Sequence, residues 1–72
     1  MAINSKARHD LTLRAIKREI SAGRDVAFWL DKAYAHLDNG LFGENDIAEI
    51  ETLAQAYYVS LDAAENEGEN AI

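Results

Sequence analysis

The sequence predicts an all-α fold: a small three-helix bundle, or a helical hairpin plus a third helix, with dimerisation as the other way to complete the core. Three observations carry that expectation. The chain has no proline and many Ala, Leu and Glu, residues that favour helix. Its apolar residues recur at spacings of three and four in three separate stretches, the period of an amphipathic helix. Breaks containing Gly23, and Gly40 with Gly43, divide those stretches. With 72 residues there is room for one core. We expect residues 1–64 to form one helical domain and residues 65–72 a flexible acidic tail.

The first helix is expected from about Ser5 to Ala22, with Ser5 or Asn4 as its cap and Gly23 at the left-handed position that ends many helices. Leu13, Ile16 and Ile20 share one face, and His9 falls on it one turn earlier. Arg14 and Arg18 lie opposite with Leu11, and Arg8 sits on a flank, so the helix has a cationic back.

The second helix is expected from Asp25 or Val26 to Leu37, capped by Asp25 and closed by Asn39-Gly40. Val26, Leu30, Ala33 and Leu37 form one stripe with Trp29 at its edge. Phe28 and Ala35 point the other way, with Ala27 and Tyr34 on a flank. Apolar residues nearly all round are the mark of a helix buried on more than one side, or of one with a second face for a partner.

The third helix is expected to start at Glu44, with Gly43 as N-cap. Phe42 and Ile47 then hold the two positions of a hydrophobic staple, and Glu44 and Asp46 suit the positive end of the helix dipole. Ile47, Ile50, Ala54, Tyr57, Leu61 and Ala64 keep an alternating three-four spacing, which suits packing against near-antiparallel helices. Leu53 and Tyr58 widen the stripe. After Ala64 the sequence has three acids, a glycine and little to bury.

Composition narrows the function. The longest apolar run, Val26 to Leu30, is far short of the roughly 20 residues that span a bilayer. With no cysteine there is no disulfide and no thiolate metal site. Lys6 and Arg8 are followed by Leu11-Thr12-Leu13 and then Arg14, which is not the apolar centre of a secretion signal, so a cytoplasmic location is expected. At this size one core leaves only about 3–5 kcal/mol of stability, which makes self-association or a partner a live expectation.

No catalytic constellation is evident, and the chain is read as a non-enzyme without cofactor or metal. Ser5, Ser21 and Ser60 are scattered. His9 beside Asp10 resembles an acid/base pair on paper, but adjacent helical positions point about 100° apart. His9 is therefore read as an edge-of-core residue, and His36 with Asp38 is too little for a metal. The stretch from Asp38 to Glu49 has the length of a calcium loop, but Gly40 and Phe42 stand where ligands are needed. A helix-turn-helix reading would make Val26 to Leu37 the recognition helix, and that helix is net acidic and too apolar to expose.

Charge is strongly divided. Residues 1–24 carry six Lys and Arg against two acids, whereas residues 25–72 carry only Lys32 against eleven acids, for a net charge of −6. Arg8, Arg14, Lys17 and Arg18 are the candidate contacts to nucleic-acid phosphates, although no aromatics interleave with them for base stacking. The acidic remainder could mimic nucleic acid and block a protein that binds it, or simply keep the chain soluble. Phe28, Trp29, Tyr34, Tyr57 and Tyr58 are the candidate residues of a partner or dimer interface, since aromatics anchor such surfaces. The first expectation is a small regulator or inhibitor that binds a protein partner through helix faces, and that also forms a homodimer. By analogy of size and composition, accessory factors of phages and mobile elements are the comparable class.

Overall fold

The computed structural model describes the backbone of residues 5–70 and the side chains of residues 5–64. The described residues form three α-helices packed against one another and no strand: α1 Ser5–Ser21, α2 Val26–Asp38 and α3 Glu44–Asn70. The expected fold class is therefore the observed one.

Each boundary has a local cause. At the end of α1 the Gly23 amide donates to the Ile20 carbonyl and the Arg24 amide to the Glu19 carbonyl, both at 3.0 Å. This is the paired closure of a Schellman motif, and it needs a left-handed residue at Gly23, whose φ is +74°. The Arg24 guanidinium reaches back to Glu19, with Nε 2.8 Å and a second nitrogen 3.3 Å from its carboxylate. α2 ends on Gly40 at φ +87°, where the Leu41 amide donates to the Asn39 side chain at 3.0 Å.

At the start of α2 the structure corrects an expectation. Asp25 occupies the N-cap position, yet its carboxylate makes no capping hydrogen bond and its backbone is left-handed at φ 46°. The connection between α1 and α2, residues 22–25, is four residues long and closes in that left-handed conformation.

The core consists of Ile16, Ile20, Val26, Ala33, Phe42, Ile47, Ile50 and Ala54, flanked by Leu13, Trp29, Leu30, Leu37, Leu41, Leu53 and Tyr57. Ile16, Ile20 and Ile50 are at most 1% exposed, and burying each stabilises the fold by roughly 1.5–3 kcal/mol. Phe42 and Ile47, at the two staple positions, are both in this cluster.

α2 is buried on one stripe only. Val26 and Ala33 are buried, Trp29, Leu30 and Leu37 are half-buried, and Ala27, Phe28, Tyr34 and Ala35 are exposed. Its apolar back therefore faces outward, because a bundle of three helices covers each member from two directions only.

α1 and α3 run in the same direction. His9 near the start of α1 meets Asp46 near the start of α3, and Gly23 beyond the end of α1 lies against Tyr57. From Tyr58 onward α3 has passed the end of the bundle, and every described side chain from Tyr58 to Ala64 is exposed. The helical backbone continues to Asn70, across most of the segment read from sequence as a flexible tail. Residues 71 and 72 lie outside the described residues.

Candidate interaction surface

The cations of α1 do not act as one stripe. Arg14, Lys17 and Arg18 border an open groove of about 540 Å³ between α1 and α3, together with Asp10, Leu13, Ser21 and Leu53. Arg8 lies elsewhere, beside Ser5, Asn39, Gly40 and Leu41 in a separate depression of about 410 Å³. The groove floor is apolar, because Leu13 and Leu53 flank the core cluster and present their outer sides here. It runs on into a third hollow, of about 290 Å³, that shares Ser21 and Leu53 and adds Ile20, Ala56, Tyr57 and Ser60.

Two of the groove cations are partly engaged. Lys17 Nζ lies 3.2 Å from Glu49 of α3. Arg18 Nε is 3.6 Å from Glu19, whose carboxylate is principally held by Arg24 and lowered below the ordinary range by that bond. Arg14 makes no ion pair among the described residues. The i,i+4 spacing of Asp10 and Arg14 suggests pairing, but Asp10 faces Lys6 at 3.1 Å and His9 instead.

The five candidate aromatics separate into distinct settings. Phe28 is 53% exposed and edge-on to Trp29, with ring centroids 5.0 Å apart. Lys32 Nζ lies 5.5 Å from the Phe28 ring centre on its other contact. Tyr34 is exposed, but its hydroxyl donates to Glu51 at 2.6 Å, and that carboxylate raises the phenol above its ordinary range. Tyr57 is half-buried against the core and Tyr58 is exposed, their rings 5.3 Å apart. Leu61, which sequence reasoning did not single out as a surface residue, extends this patch at 45% exposure, while Val59, 56% exposed, lies on the opposite side of α3. The signal for Leu61 was helix length: partners of 17 and 13 residues cannot cover one of 27.

A polar cluster stands at the opposite end of the bundle. His9 Nδ1 lies 2.9 Å from Asp10 and Nε2 lies 2.8 Å from Asp46. The first contact forms despite the roughly 100° between adjacent helical positions, since a rotatable Asp side chain can turn toward its neighbour even when the Cβ vectors diverge. Asp46 also accepts the Gly43 amide at 2.9 Å, the return half of a capping box. Carboxylates only accept, so an imidazolium, with two N–H groups, fills both contacts and a neutral ring fills one. The bonds to Asp10 and then Asp46 raise the His9 pKa, and the Gly43 amide and then His9 lower that of Asp46.

The two carboxylates approach opposite edges of the ring and share no common point. Among the described residues no group of three or more His, Cys, Asp or Glu side chains can hold a metal ion. Nor is any helix among them long and apolar enough to cross a membrane. No protein-family model, curated protein or solved structure matches the chain.

Proposed function

We propose that this chain is a small non-enzymatic interaction protein, a cytoplasmic regulator or inhibitor that binds a protein partner through the outward face of α2. One observation carries the reading. Phe28 is more than half exposed yet already fixed, edge-on to a Trp29 that is itself packed on the core. An aromatic anchor held in place loses little side-chain entropy on binding, which favours affinity. Phe and Trp are enriched at the centres of protein interfaces.

The test places a photo-crosslinking residue at Phe28 and, as control, at exposed Gln55, in cells that express the chain. A discrete heterologous adduct from position 28 and none from position 55 is the expected result. With the adduct partner purified, Phe28→Ala should weaken binding by about 2 kcal/mol while leaving thermal stability within about 0.5 kcal/mol. Absence of any adduct at 28, or binding indifferent to the substitution, refutes the reading.

A second reading, nucleic-acid association, draws on the convergence of Arg14, Lys17 and Arg18 on one groove. Its apolar floor and the engagement of Lys17 by Glu49 speak for a protein occupant instead. Retarded migration of DNA or RNA at low salt, lost on Arg14→Glu with Arg18→Glu, would restore it.

A further inference from the structure

We infer that the α1–α3 groove is the docking site for α3 of a second copy of this chain, laid antiparallel to the first in a two-fold dimer. This goes beyond the partner reading of α2, and it uses a different face of the molecule.

Three observations converge on that occupant. The first is the α3 stripe itself. Ile50 and Ala54 are buried, Tyr57 is half-buried, and Leu61, the next member, is 45% exposed because α1 and α2 have ended. A seam that continues in sequence but loses its partners in space is half of an interface. The second is the groove beside it. Its floor includes Leu13 and Leu53, and it runs on along the same helix into the hollow of Ala56, Tyr57 and Ser60, toward the overhang.

The third is charge. The groove is bordered by Arg14, Lys17 and Arg18. The overhang that would enter it carries Asp62, and the sequence adds Glu65, Glu67 and Glu69 with no cation after Lys32. Asp62 makes no ion pair among the described residues, and neither does Arg14. Both halves are present on every copy, so an antiparallel arrangement satisfies them twice. It is closed, because the same patch serves both chains.

A two-fold axis near Tyr57 sets Leu61 of one copy against Leu53 of the other. It also lays each acidic end along the other's α1, where opposite charges steer the encounter and fix the register.

The experiment uses the full chain. Light scattering from about 10 to 500 μM should show a monomer–dimer equilibrium governed by mass action. Leu61→Asp should abolish the dimer, and Arg14→Glu should weaken it by about tenfold or more. Asp62→Lys should weaken it likewise, and joining it to Arg14→Glu should recover much of the loss. Circular dichroism on each variant separates dissociation from unfolding.

The cysteine-free background supplies an independent readout. Leu53→Cys with Leu61→Cys places two thiols eight residues apart on one helix, about 12 Å, too far for an intrachain bond. Oxidation should give a covalent dimer, and Gln55→Cys with Val59→Cys, on the far face, should not. A monomer at every concentration, or a dimer indifferent to both Leu61→Asp and Arg14→Glu, overturns the inference. Either result leaves the Phe28 reading standing.

Discussion

At the scale of single residues, Gly23 shows how a turn and a helix packing contact can depend on one missing atom. Its φ of +74° is one that residues with a Cβ rarely adopt, and a Cβ built there would lie 2.9 Å from Tyr57 Cε1. Gly40 has φ +87° with nothing within 4 Å of such an atom. The two glycines therefore separate backbone strain from steric conflict. Gly40→Ala should cost about 1 kcal/mol through conformation alone. Gly23→Ala should cost more, since the Tyr57 ring must also move. Urea denaturation of both variants checks this, and equal losses would remove the role assigned to the Tyr57 contact.

At the scale of elements, the His9 cluster ties the first turns of α1 and α3 together, and its pH dependence can be stated with sign. His9 is held above its ordinary 6.5, so its contribution is complete below 6.5 and fades as pH rises through the folded value. Asp46 is held below its ordinary 3.8, so its contribution is complete above 3.8 and fades as pH falls through the folded value. The α1–α3 clasp is therefore strongest between these limits. Thermal melts should show the wild type losing stability relative to His9→Gln as pH is raised above 6.5. Parallel curves over that range would mean that the imidazolium contributes nothing.

Much of the element structure was legible because it rests on periodicity and turn chemistry. Gly23, Asn39-Gly40 and Gly43 mark the breaks, and the stripes of α1 and α3 name most of the core. What escaped depends on tertiary geometry. The apolar face of α2 around Phe28 reads as buried by composition alone, but only the number of neighbouring helices decides how much of it is covered. The bonds of Asp10 and Asp46 to His9 depend on side-chain rotation and on a contact 37 residues away, which no local pattern encodes. For the candidate surfaces, the cations and aromatics were legible as residue types. Their separation into a groove, an α2 face and an α3 overhang was not.

At the scale of the whole molecule, the Cα radius of gyration is 15.1 Å, against about 11 Å for a compact chain of this length. The excess belongs to the C-terminal half of α3. Because α3 is one uninterrupted helix, its outer half has no independent orientation: the packing of Ile47, Ile50 and Ala54 sets the direction in which Leu61 faces, much as the handle of a key fixes the angle of its teeth. Each residue advances a helix by about 100°. One alanine inserted between Tyr58 and Val59 should leave the core and its melting transition nearly unchanged while turning Leu61 out of line with the groove. The bundle thus serves as the angular reference for a surface that lies outside it.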